Sequence, residues 1–154
     1  MRAAAKVVTK PMEPLSLAGC LDNFRRHGGE VAFARRRGYR TVRWTYHQVA
    51  ETACQFAREL EQRQIGKGDR VLIWGQNCAE WVAGFFGCVL RGAVAVPMDA
   101  IATPDFAGRV ARQVNARLVL GSRELAQHLA GMPVLLLEDL QAAAQGGIDD
   151  LFLD

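Results

Sequence analysis

From Asp69 to Leu137 the chain alternates short apolar runs with helical stretches, and this limits its fold more than any other feature. Val71-Leu72-Ile73-Trp74, Ala93-Val94-Ala95-Val96, Leu118-Val119-Leu120 and Val134-Leu135-Leu136-Leu137 are unbroken by polar residues. Short continuous runs of this kind are strands covered on both faces. The stretches between them carry helix signals. Asn77 reads as an N-cap with Glu80 at the third position, and the helix it opens is apolar nearly all round through Phe85, Phe86, Val89 and Leu90. Trp81, Phe85 and Phe86 are expected against the sheet, and Gly84 and Gly87 allow a close approach to it. Gly92 ends that helix and Pro97 is expected to end the strand after it. Thr103-Pro104-Asp105 supplies a cap, a first-turn proline and a first-turn acid to a helix on Phe106, Val110 and Val114. Ser122 to Ala130 forms the next, before Gly131. A β-α-β-α-β-α-β chain with right-handed crossovers gives a mainly parallel, doubly wound sheet.

The residues before Asp69 read differently. Residues 1–14 hold charges and two prolines and form a flexible arm. Leu15 to His27 holds a short helix with Leu17, Leu21 and Phe24 on one face, stopped by Gly28-Gly29. Val31 and Phe33, then Val42, Trp44 and Tyr46, alternate about a turn at Arg37-Gly38-Tyr39, which is a β-hairpin. Thr45 and Gln48 match a capping box, opening a helix on Val49, Ala53, Phe56 and Leu60. The chain is therefore one α/β unit over 15–144 with an N-terminal β-hairpin, a short turn at Leu140 to Ala144, and a frayed tail at 145–154.

Composition excludes several classes. At 154 residues, half of them apolar and 23% charged, the chain supports one core without disulfides or metal. Cys20, Cys54, Cys78 and Cys88 form no CxxC, and His27, His47 and His128 are scattered, so no metal-ligand spacing exists and the thiols read as reduced and cytoplasmic. Leu17-Ala18-Gly19-Cys20 spells a lipoprotein box without the apolar stretch export needs. Trp81 to Leu90 is half a membrane span. Seven arginines lie between Arg25 and Arg43 against one acid, Glu30, and read as a solvated hairpin face; a net charge of +3 does not imply nucleic acid.

The usual chemical motifs are missing. Gly75-Gln76-Asn77 follows the first strand with one glycine, where a dinucleotide fingerprint has three; no phosphate loop and no GxSxG elbow occur. Asp99 and Asp105 flank the loop after Pro97 and are an acid pair able in principle to bind metal or move protons, although Asp105 already serves a helix start. The residues alone give an α/β domain with no complete site.

Trp44-Thr45-Tyr46-His47-Gln48-Val49, Gly66-Lys67-Gly68-Asp69-Arg70-Val71, Asn77, Glu80 and Arg91-Gly92-Ala93-Val94-Ala95-Val96-Pro97-Met98-Asp99 together resemble the opening motifs of the adenylate-forming (AMP-binding) synthetases, most similar among them to acyl-CoA synthetases. The resemblance covers about Val31 to Leu137 and departs at Ala100-Ile101-Ala102, where many members have proline. It implies an N-terminal piece of a ligase that uses ATP, Mg²⁺ and coenzyme A to join a carboxylic acid, of the fatty class, to a thiol. The family's phosphate-binding motif, ribose-binding aspartate and C-terminal lysine are not among these residues, so no catalytic residue and no metal ligand transfers to this sequence. The expected partner is the remainder of the synthetase. Arg123, in the first turn after the third strand, is the nearest match to a basic residue that contacts a coenzyme A phosphate in some acyl-CoA synthetases. The competing reading is a stand-alone, non-catalytic binding or interaction module.

Overall fold

The computed structural model describes residues 16–129 and 131–140, so the expected arm and tail lie outside it, as does most of the expected turn at Leu140 to Ala144. The element order is α1 (Cys20–His27), β1 (Val31–Arg37), β2 (Arg40–Thr45), α2 (Tyr46–Gln62), β3 (Arg70–Trp74), α3 (Ala79–Arg91), β4 (Val94–Met98), α4 (Pro104–Gln113), β5 (Ala116–Gly121), α5 (Arg123–Ala126) and β6 (Val134–Leu136). As expected, β1 and β2 form an antiparallel hairpin and the other four strands a parallel sheet, ordered β4-β3-β5-β6.

β3 is the centre of that sheet. Val71, Leu72, Ile73 and Trp74 are all 0% exposed. Strand alternation sends Val71 and Ile73 to one face, where they meet Leu118 and Leu120 of β5, Phe56 and Leu60 of α2 and Cys88 of α3. Leu72 and Trp74 go to the other, against Val119, Met98 and the alanines Ala107 and Ala111 of α4. The chain runs from β3 outward to β4, then returns across β3 to β5, which is why α3 and α4 cover opposite faces.

The resembling motifs are accounted for by folding. Gly68 takes φ +85, a left-handed conformation that favours glycine. Asp69 Oδ2 accepts the Gly66 amide at 3.0 Å and holds the turn into β3. The Arg70 guanidinium donates to the carbonyls of Val114 (2.7 Å) and Gly68 (2.9 Å), tying the end of α4 to the start of β3. Gly92, at φ +68, is the left-handed C-cap of α3. Thr45 and Gln48 form the complete capping box of α2.

Four local expectations need correction. Cys78, not Asn77, is the N-cap of α3, and no side chain bonds the free amides there. Pro97 does not end its strand; β4 continues to Met98, with Pro97 opposite Ile73, because β4 is an edge strand whose outer side needs no amide donor. The helix after β5 stops at Ala126, because the chain must turn at Gly131 (φ +80) to set the Pro133 carbonyl on the Val119 amide at 2.9 Å. Leu137 leaves the last strand and begins a helical stretch over 137–140.

The aromatic residues of α3 divide. Trp81 and Phe85, stacked at 5.9 Å, are half-buried beside the sheet core. Phe86 is buried, but faces away from the sheet toward Leu21, Trp44 and Val49, edge-on to Phe24. Gly84 alone sets α3 against the sheet, since a Cβ there would collide with Leu120. Gly87 instead sets α3 against α2, with Phe56 Cδ1 at 2.6 Å and the Ala53 carbonyl at 3.0 Å from a Cβ position. Phe86→Ala is expected to cost about 3–5 kcal/mol in urea unfolding and Gly87→Ala about 1–3 kcal/mol. A loss below about 1 kcal/mol for Phe86→Ala would show that α1 and the hairpin are not joined to the rest by this contact.

Candidate functional site

In a doubly wound sheet, ligands approach the carboxyl ends of the strands where strand order reverses. Here that point lies between β3 and β5, at Gly75 and Ser122. The gap is closed by the chain itself. The Ser122 amide donates to the Trp74 carbonyl at 3.2 Å, continuing the ladder past both strands. Leu137, 4% exposed, fills the rest, with its Cδ1 2.7 Å from a Cβ position on Gly75. Gly75 is therefore a seat for a leucine and not part of a phosphate loop.

A cavity of about 280 Å³ remains above this plug, lined by Arg35, Glu80, Ser122, Glu124 and Glu138 among others. Arg35 comes from the hairpin, and its Nη2 donates to Gln76 Oε1 at 2.8 Å. The hairpin's arginines were expected to be solvated throughout; most are, but Arg35 bridges to the loop after β3. Its parity with Phe33 on β1, opposite Val42 and Trp44, was the available signal. With three carboxylates against one guanidinium, the lining repels a polyphosphate. No cluster of three or more potential metal ligands occurs among the described residues. The groups present do not fit ATP or Mg²⁺.

Arg123 lies at the carboxyl end of β5, exposed, as the sequence places it. Its surroundings are acidic. Both Glu138 oxygens accept the Arg123 amide at 3.1 Å, so the start of α5 already holds an anion, the protein's own. The Arg123 guanidinium stands 3.7 Å from Asp139. Glu138 and Asp139, fifteen and sixteen residues on, were missed because nothing local links them to α5. Asp99 and Asp105 are not brought together as a reactive pair: Asp99 accepts the Ile101 amide at 3.0 Å, and Asp105 is exposed in the first turn of α4.

The family model for AMP-binding enzymes matches residues 21–147. The chain belongs to that family. YngI of Bacillus subtilis, which carries the name of an acyl-CoA synthetase, is 42% identical over 60 residues, 39% of this chain and 11% of YngI. The acyl-CoA ligase sidI of Aspergillus fumigatus is 30% identical over 87 residues, 56% of this chain and 15% of sidI. A D-alanine–D-alanyl carrier protein ligase of Bacillus cereus is 24% identical over 101 residues, 66% of this chain and 20% of that ligase. The chain thus spans only a small part of the curated relatives it matches. Among solved structures, the fatty acyl-adenylate ligase of Legionella pneumophila superposes with a TM-score of 0.69 at 20% identity, over 86% of this chain and 25% of that one. The N-terminal subdomain of Klebsiella oxytoca NpsA gives 0.66 at 23%, over 83% and 32%. These likenesses establish the fold. No helix among the described residues is long and apolar enough to cross a membrane.

Two thiols in this AMP-binding family member are held protonated. Burial, then the Glu80 carboxylate, pushes Cys78 up to about 11, and burial pushes Cys88 up to about 12. Both exceed the ordinary thiol value of 9.0, so the folded chain binds more protons than the unfolded one above pH 9. Its stability should fall as pH rises from 9 toward 12. Alkylation of Cys78 should accelerate about tenfold per pH unit from pH 8 until it levels near 11. A plateau by pH 9 would contradict the assigned environment.

Proposed function

We propose that this chain is the N-terminal α/β portion of an ATP-dependent, acyl-CoA synthetase-like ligase. In the complete enzyme a carboxylate oxygen attacks the α-phosphorus of ATP, releasing pyrophosphate and giving an acyl-adenylate. The thiol of coenzyme A then displaces AMP to form a thioester. The family match over residues 21–147 carries this reading. Coenzyme A is preferred as acceptor because the relatives YngI and sidI bear acyl-CoA names, although carrier-protein ligases are also similar. ATP is assigned to residues outside the described ones, since the acidic, plugged crevice repels its phosphates, and Mg²⁺ with it, since the described residues hold no cluster of three potential ligands. The described residues supply the sheet on which the rest is built, in a cytoplasmic enzyme acting on a carboxylic acid of the fatty class.

The 154-residue chain should therefore show no ATP–pyrophosphate exchange with any carboxylic acid. Exchange well above a no-protein blank, surviving repurification, would overturn the proposal. So would a stop codon directly after codon 154, which favours a stand-alone binding module; a following Ser/Thr/Gly-rich stretch supports the ligase.

Arg123 is proposed to contact a phosphate of coenzyme A, an exposed guanidinium that would exchange Asp139 for the ligand. In the complete enzyme, Arg123→Ala should raise the apparent KM for coenzyme A several-fold and leave adenylation unchanged. Wild-type kinetics in both half-reactions would reduce Arg123 to a surface residue.

A further inference from the structure

We propose that the groove between α4 and the loop after α5 binds a phosphate monoester. The proposal goes beyond the ligase reading and does not depend on it. The groove has a volume of about 400 Å³, and Arg109, Arg112 and His128 all line it. Arg109 and Arg112 are three apart on α4 and share a face. His128 follows α5, so the polar side chains of the groove come from two separate elements. Asp105, at the α4 start, is the one acid in the lining.

Arg109 and Arg112 belong to the cations that no carboxylate neutralises among the described residues. Arg25, Arg63, Arg91, Arg117 and Arg123 each meet a carboxylate, whereas none of the ion pairs among the described residues includes Arg109, Arg112 or His128. Arg109 is oriented without being neutralised: its guanidinium carbon lies 5.8 Å from the centre of the Phe106 ring. Its edge donors stay available.

Gly108 strengthens the case. It lies inside α4 without a positive φ, where glycine is disfavoured relative to alanine. A Cβ there would make only ordinary contacts, 3.5 Å to the Arg112 guanidinium and 3.6 Å to Leu129. Packing does not demand glycine at this position; what its lack of a side chain does is leave room between Arg112 and Leu129. A guanidinium fork matches two phosphate oxygens, and donors on both sides of the groove suit a tetrahedral anion better than a flat carboxylate. Leu129 and Met132 give the lining an apolar part, which suits the carbon side of an ester over free phosphate.

The test uses the 154-residue chain labelled with ¹⁵N and titrated with ribose 5-phosphate, inorganic phosphate and ribose. Saturable shifts at the amides of Arg109, Arg112 and His128 are expected with ribose 5-phosphate, at lower concentration than with inorganic phosphate, and not with ribose. Arg109→Gln with Arg112→Gln should weaken binding about tenfold or more. Arg36→Gln with Arg43→Gln, on the hairpin, should leave it within about twofold. All four arginines are exposed or half-exposed, so both variants keep the fold, checked by an unchanged thermal midpoint. Absence of saturable shifts at the groove, or equal weakening in the hairpin variant, would overturn the site. Inorganic phosphate binding as tightly as ribose 5-phosphate would overturn the monoester assignment.

Discussion

The double burial of β3 is the constraint on which the rest of the structure depends. Four consecutive side chains from Val71 to Trp74 lie wholly out of water, two on each face. Such burial is worth about 1.5–3 kcal/mol per large apolar side chain, and only if both faces are covered. Coverage requires helices on both sides, and a strand paired on both edges requires β4 and β5 to flank it in parallel. The alanines of α4 and Gly84 of α3 follow from the same demand, since both helices must come close to a sheet whose inner residues are bulky. Trp74 shows how tight the arrangement is: its indole nitrogen still finds the Asp99 carbonyl at 3.1 Å.

The same demand explains what the opening motifs of the ligase family do in this fold. The Gly-Asp-Arg-Val stretch is a turn, a hydrogen-bonded aspartate and an arginine clasp to α4. The Gly-Ala-Val-Ala-Val-Pro stretch is a helix cap and an edge strand. Both brace the strand that needs bracing. At the reversal point, the place where a sheet of this topology most readily admits a ligand, Leu137 packs against Gly75 and Glu138 accepts the Arg123 amide at the start of α5. A separate groove runs along the outer side of α4.

Most of the fold was legible because it rests on local periodicity. The four apolar runs, the capping box at Thr45 and the turn at Gly38 each state their structure within a few residues. What was not legible depends on partners distant in sequence. Whether Pro97 ends a strand depends on its being at a sheet edge, and sheet order is not written in the run itself. That Phe86 turns toward α1 while Phe85 turns toward the sheet follows from a helix apolar all round, which offers two cores and names neither. Gly75 reads as a lone glycine after a strand, too few for a phosphate-binding fingerprint, and what it is for shows only when Leu137, 62 positions later, packs against it. The site residues shared this limit: Arg123 was placed correctly on its strand end, but the acids beside it came from beyond β6.

Native-state hydrogen exchange on the 154-residue chain tests the central claim most directly. If β3 organises the molecule, the amides of Val71 to Trp74 and of Leu118 to Leu120 open only with global unfolding. Their exchange free energies should then equal the stability measured by denaturant, while those at the hairpin tip and in α5 are much lower. Exchange of the β3 amides as fast as that of the hairpin would contradict the account.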